Sequence, residues 1–266
     1  MTMHSLHGAV SDLMIEVGRE IIMPRFQALA AHEISEKSPG EIVTIADEES
    51  EERIAEQLSR ILPEARIVGE EATAADASLL DTLGAGLSWL VDPVDGTTNF
   101  SEGKTPFAVM IALLEDGEAQ AGWIYDPVTQ RMCHAHRGHG AFVGDERVRT
   151  EPTKGPMPIA ALGMHFLPAE RRKMLEERAS GKLDIVAIPR CAGEQYPRLA
   201  LGVNDISLYE RVLPWDHAPG ALFLSEAGGK TARPDGTPFS PTDQRPGLLS
   251  AATPQLWEQA AEILFA

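Results

Sequence analysis

A chain of 266 residues fits one large domain or two small ones sharing a core, and its 43% hydrophobic and 24% charged content is that of a globular protein. The net charge of −17 argues against a nucleic acid polymer as partner, because phosphate backbones are held by clustered Lys and Arg; Arg171-Arg172-Lys173 reads as a solvated helical face. With only Cys133 and Cys191 present, neither a disulfide framework nor a structural zinc site is expected.

Leu6, Val10, Leu13, Met14, Val17 and Ile21 recur at helical spacing, which predicts an amphipathic helix within Leu6 to Leu29. Asp12, Glu16, Arg19 and Glu20 interrupt it, so it is no signal peptide or membrane span, and a cytoplasmic address is the expectation. Ser35 to Gly40 reads as a loop. Asp47 is expected to N-cap a second helix that carries Ile54, Leu58 and Ile61 and ends near Pro63. Short strands follow, Arg66 to Val68 ending at Gly69-Glu70-Glu71 and Trp89 to Val91 ending at Asp92. Phe107 to Leu114 and Ala119 to Tyr125 flank a hairpin turn, and Met132 to Ala135 and Ala141 to Val143 extend the antiparallel meander.

Beyond Pro152-Thr153-Lys154-Gly155-Pro156 the pattern changes to alternation of strand and helix: Ile159 to Met164, Pro168 to Ala179, Ile185 to Ile188, Glu194 to Leu201, Ile206 to Tyr209. Trp215 to Ala227 reads as a helix closed by Gly228-Gly229, and Gly247 to Ala252 as a strand before the last helix. The expected division is therefore 1–152, an α+β half, and 153–266, an α/β half.

The stretch Trp89-Leu90-Val91-Asp92-Pro93-Val94-Asp95-Gly96-Thr97-Thr98-Asn99-Phe100 runs from an apolar strand into two aspartates. Two carboxylates facing one point repel unless a cation joins them, and hard oxygen donors of this kind suit Mg²⁺, with the Val94 carbonyl as a further oxygen. A glycine-led turn, Gly96-Thr97-Thr98, can aim backbone N–H groups and two hydroxyls at an anion. Taken alone the piece could be a surface turn, Glu70-Glu71 a surface pair, Asp216 a helix cap, and Thr44 and Asp47 helix-start residues. His134 and His136 share a strand face but have no further ligand at zinc-like spacing, and Gly138-His139-Gly140 opens no dinucleotide-binding helix.

Together, Val43-Thr44-Ile45-Ala46-Asp47, Gly69-Glu70-Glu71, the Asp92 to Phe100 signature, Trp215-Asp216-His217-Ala218-Pro219-Gly220 and Glu226-Ala227-Gly228-Gly229 resemble the inositol monophosphatase family of Mg²⁺-dependent, lithium-sensitive phosphatases. The resemblance implies a layered α-β-α-β-α sandwich of the sugar phosphatase type, with an N-terminal antiparallel sheet and a C-terminal mixed sheet between helices. It further implies two to three Mg²⁺ ions held by Glu70, Asp92, the Val94 carbonyl, Asp95 and Asp216, and phosphate bound by Gly96, Thr97 and Thr98. Thr97, with Asp47 and Glu70, would orient a water for in-line attack. Arg190 to Gly193 falls at the substrate loop, and Asp95, Gly193, Glu194, Gln195, Glu210 and Asp216 are the expected substrate contacts. The implied partner is a small-molecule phosphomonoester, with neither nucleic acid polymer nor membrane, and the implied assembly is a homodimer.

Two features depart from the family pattern. Glu194-Gln195-Tyr196 follows the loop glycine where a small residue is common, and Glu210-Arg211-Val212-Leu213-Pro214 lacks a glycine and is one residue short before Trp215. The expected substrate is a small polyol phosphate, inositol monophosphate first, with histidinol phosphate, fructose 1,6-bisphosphate and 3'-phosphoadenosine 5'-phosphate as alternatives. A metal- and phosphate-binding regulatory protein without turnover is the alternative of another class; it would need a lost ligand, and none is lost.

Overall fold

The computed structural model describes residues 5–38 and 40–266. Helix α1 (His7–Val17) passes through a wider π turn, Gly18–Ile22, into the short α2 (Met23–Arg25), so the expected first helix is shorter at its far end and broken in register. The segment Ser35 to Gly40, expected as a loop, is mostly strand: β1 (Ile34–Ser38) pairs antiparallel with β2 (Glu41–Thr44), while Pro39 lies outside the described residues. Its polar, half-exposed sequence masks the strand, because such a two-stranded ribbon has no fully buried face to impose alternation.

Helix α3 (Ile45–Ile61) is capped by Thr44, not Asp47. Asp47 occupies the third helical position and its carboxylate accepts the Thr44 backbone N–H at 2.9 Å, a capping box. Next come β3 (Arg66–Gly69), α4 (Glu70–Ala75), β4 (Leu87–Asp95), α5 (Thr97–Ser101), β5 (Ala108–Glu115), β6 (Glu118–Asp126), β7 (Arg131–His136), β8 (Gly140–Val143) and β9 (Glu146–Val148). These seven strands form one sheet in the order β3-β4-β5-β6-β7-β8-β9, antiparallel except for the parallel pair β3 and β4.

The remainder alternates: β10 (Ile159–Gly163), α6 (Ala169–Ala179), β11 (Asp184–Val186), α7 (Ala192–Ala200), β12 (Ile206–Tyr209), α8 (Pro214–Ala227), β13 (Lys230–Ala232), β14 (Leu248–Ala251) and α9 (Pro254–Phe265). A five-stranded mixed sheet results, in the order β11-β10-β12-β14-β13.

Strand side chains alternate between faces, and both faces here are apolar. Val109, Ile111 and Leu113 of β5 join Trp89 and Val91 against α1 and α3, while Ala108, Met110, Ala112 and Leu114 face Tyr196, Leu199, Ala218 and Leu222 of α7 and α8. Helices α7 and α8 also touch β12 and β13, and the outer face of the second sheet packs on α6 and α9. The layers therefore run helix, sheet, helix, sheet, helix, and the helices of the middle layer contribute to the core of the first sheet.

Candidate active site

A regular strand would send Asp92 and Asp95, three apart, to opposite faces. Strand β4 does not run regularly there: Asp92 pairs with Met110 and Asp95 with Ala108, so one extra residue sits opposite β5. Such a bulge turns both carboxylates to one side, and Pro93, which has no N–H to lose, is tolerated in it. The Val94 N–H closes the bulge onto Asp92 Oδ1 at 3.1 Å. Gly96 then adopts φ 90°, and a Cβ there would lie 3.0 Å from the Pro106 carbonyl, so glycine is needed for both conformation and space.

Other elements bring carboxylates to the same point. Glu70 opens α4 directly after β3, whose Gly69 is level with Val91, and Asp216 stands in the first turn of α8. One ligand oxygen from each of Glu70, Asp92 and Asp216 lies within 4.8 Å of the others. Asp95 accepts the Gly193 backbone N–H at 2.6 Å, which anchors the start of α7. Asn99 bonds the carbonyls of Pro106 and Pro189 at 2.8 and 3.0 Å, fixing the approach to Arg190.

Burial dominates the electrostatics. It pushes the carboxyl pKa of Asp92 and Asp216 well above the usual carboxylate range, reinforced by the neighbouring carboxylates. Asp95 rises by burial to about 6, held back by the N–H groups of α7, and Asp47 rises by burial to about 7 against the opposing bonds from Thr44. The Lys37 ammonium pairs with Glu70 at 3.1 Å and with Glu71 at 2.5 Å. Burial lowers the pKa of Lys37, and the two glutamates outweigh that and raise it. Carboxylates gathered in this way, with oxygen donors only, fit a hard divalent cation.

Glu70, Asp92, Val94, Asp95, Gly96, Thr97, Thr98, Glu210 and Asp216 all line one cleft. Asp47 stands behind it, with Thr97 Oγ1 3.1 Å from Asp47 Oδ1 and 3.0 Å from the Val94 carbonyl. Gly193 backs Asp95 from outside the lining. Glu194 and Gln195 do not line the cleft. Glu194 is ion-paired with Arg131 and, at 2.7 Å, with Arg198, while Gln195 is wholly buried and its amide bonds to no described residue. Glu210 does face the cleft, bonded by Arg171 at 2.9 Å.

Lys37 was not legible in the sequence, since nothing in a polar segment singles out one lysine. The same holds for His165, Phe166 and Arg211 on the cleft wall, with Arg211 paired to Glu41 of β2. His134, by contrast, stacks beside Phe142 and bonds the Gly144 carbonyl at 3.0 Å, away from the carboxylates. Among the described residues no helix is long and apolar enough to cross a membrane.

The model of the inositol monophosphatase family matches residues 7–264. The chain belongs to the inositol monophosphatase family. It is 29% identical over 229 residues to the inositol-1-monophosphatase of Bacillus subtilis (85% of this chain, 84% of that protein). It is 34% identical over 223 residues to the histidinol-phosphatase of Mycobacterium tuberculosis (82% and 83%). The crystal structure of the extragenic suppressor protein suhB from Bartonella henselae superposes with a TM-score of 0.81 at 26% identity, covering 97% of this chain and 98% of that one. As a member of the inositol monophosphatase family the chain is a phosphatase of a metal-dependent type, acting on small phosphomonoesters, and its acidic cluster suits a metal ion.

Proposed function

We propose that the chain is a Mg²⁺-dependent phosphomonoesterase whose substrate is a small polyol phosphate, inositol monophosphate first. The observation that carries this reading is the bulge in β4, which turns Asp92 and Asp95 toward Glu70 and Asp216 beside the Gly96-Thr97-Thr98 turn. Glu70, Asp92, the Val94 carbonyl, Asp95 and Asp216 would hold two to three Mg²⁺ ions. When bound, such ions activate a water and neutralise the charge that develops on the leaving alcohol.

The chain's own groups do the orienting. The backbone N–H groups of Gly96, Thr97 and Thr98 hold the phosphate oxygens. The single hydroxyl hydrogen of Thr97 goes to Asp47 or to the Val94 carbonyl, at 3.1 and 3.0 Å, which leaves the oxygen lone pairs to accept from the attacking water. Glu70, at the cleft edge of the same cluster, takes part in orienting that water. No Ser or Cys nucleophile is required, and the buried Cys191 thiol, its pKa pushed well up by burial, is a poor one.

At the alcohol end Glu210 lines the cleft together with Asp95 and Asp216. A histidinol-phosphatase at 34% identity, beside inositol-1-monophosphatases at the same identity, supports histidinol phosphate as the second reading. The family resemblance extends this proposal to inhibition by lithium and to a homodimer acting in the cytoplasm. Phosphate release from a panel of phosphomonoesters, in Mg²⁺ and in excess chelator, tests it: activity with Mg²⁺ alone is expected, and full activity in chelator would remove the metal assignment.

A further inference from the structure

Tyr196 of α7 and His217 of α8 are sealed from solvent, with the tyrosine hydroxyl 3.1 Å from His217 Nδ1. The other ring nitrogen, Nε2, stands 3.4 Å from the Arg211 carbonyl. A carbonyl only accepts, so Nε2 carries the hydrogen. A neutral imidazole carries one hydrogen, so with Nε2 as the donor Nδ1 is a bare acceptor. Tyr196 must therefore donate to it. The tyrosine oxygen is then free to accept from Ser250, whose Oγ is 3.0 Å from Thr231 Oγ1. The direction of the chain from β14 through Tyr196 and His217 to Arg211 follows from its last acceptor.

The elements joined in this way are those that carry the site. Helix α7 starts at the turn whose Gly193 N–H holds Asp95 at 2.6 Å. His217 follows Asp216 in the first turn of α8, and Arg211 belongs to the cleft wall between Glu210 and Leu213. Leu199 of α7 and Ala218 and Leu222 of α8 belong to one apolar core, and apolar contact is non-directional. A hydrogen bond adds the direction that sets sliding and rotation. The packing makes room for it: a Cβ on Gly220 would lie 2.0 Å from the Tyr196 ring.

We propose that Tyr196 and His217 form a positioning pair that sets the separation of Asp95 from Asp216, and through it the affinity of the divalent-cation site. The inference rests on the metal-site reading above. Neither residue lines the cleft, so the pair acts through the two aspartates rather than on substrate.

Tyr196→Phe removes one oxygen and keeps the ring that fills the space. Calorimetric titration of chelator-stripped protein with Mg²⁺, without substrate, should show the dissociation constant rising about tenfold, the lower end of what loss of a ligand-orienting partner costs. At saturating Mg²⁺ kcat should return toward that of the unmodified enzyme. His217→Phe should weaken Mg²⁺ binding similarly, and the double variant should lose no more than either single one, because the pair acts as a unit. An unchanged Mg²⁺ isotherm for Tyr196→Phe, whatever happens to the thermal midpoint, would overturn the proposal and leave a purely structural bond. If the unmodified protein itself binds no Mg²⁺, the metal-site reading fails, and that outcome is separate from failure of the pair.

Discussion

Raising the pH in the presence of a chelator should destabilise this protein, and Mg²⁺ should abolish the effect. A carboxyl group whose pKa is raised by folding keeps its proton where the unfolded chain has lost it, so its contribution to stability falls as pH rises from the unfolded value through the folded one. Asp95, at about 6, and Asp47, at about 7, have largely completed that loss by neutrality. Asp92 and Asp216 are raised well above the ordinary carboxylate range by burial and by neighbouring carboxylates, and Glu71, raised by burial to about 8, still titrates beyond neutrality. Buried histidines act in the opposite sense, since His217 at about 3 and His134 at about 4 stay neutral while the unfolded chain binds protons. Their gain is complete once pH exceeds their unfolded value of about 6.5, so it leaves the window from about pH 7 to 8.5 undisturbed. Each proton retained by the folded state contributes a slope of about 1.4 kcal/mol per pH unit, and one proton shared by the coupled cluster costs about 2 kcal/mol over that window. For a chain of this size that is a fall in thermal midpoint of roughly 4–8 °C. Differential scanning calorimetry at the two pH values, in chelator and in Mg²⁺, measures it directly. Bound cations displace the same protons, so the slope should vanish with Mg²⁺. Equal midpoints at both pH values in chelator would refute the reasoning, because they would mean that the carboxylates are not buried against one another.

Thr97→Ala should lower kcat by about 10²- to 10⁴-fold with little change in thermal midpoint, because it removes the oxygen that orients water while leaving the turn intact; a rate near normal would transfer that role to Asp47. Glu210→Ala should alter discrimination between inositol phosphate and p-nitrophenyl phosphate, since a polyol has hydroxyls that need acceptors and the generic ester does not. Equal losses on both, or none on either, would exclude a selectivity role for Glu210 and reduce it to the partner of Arg171.

Taken singly, Asp-Pro-Val-Asp-Gly marks a bend and Trp-Asp after a proline a helix start; it is the joint resemblance of these motifs to the inositol monophosphatase family that assigns their carboxylates to one site. The apolar runs that form the strands of the first sheet and the strand-helix alternation beyond Pro156 were legible because apolar runs and turn punctuation are local properties. Where local signals compete the sequence misleads. Thr44 and Asp47 are both good caps, and only the geometry of the first turn makes Thr44 the cap and Asp47 its reciprocal partner behind Thr97. The bulge that turns Asp92 and Asp95 to one face exists only as a register shift against Met110 and Ala108 of β5, so no reading of β4 alone contains it.

The alcohol end depended on tertiary structure most of all. Glu194 and Gln195 sit beside a loop that belongs to the cleft, yet Arg131 and Arg198 draw the first away and the core closes over the second. Lys37 reaches Glu70 from a hairpin 33 residues earlier in the chain. Local sequence thus supplied the carboxylates and the glycine-led turn. Which side chains stand around them was decided by long-range packing, because the partner that holds a charge or fills a space comes from another element of the fold.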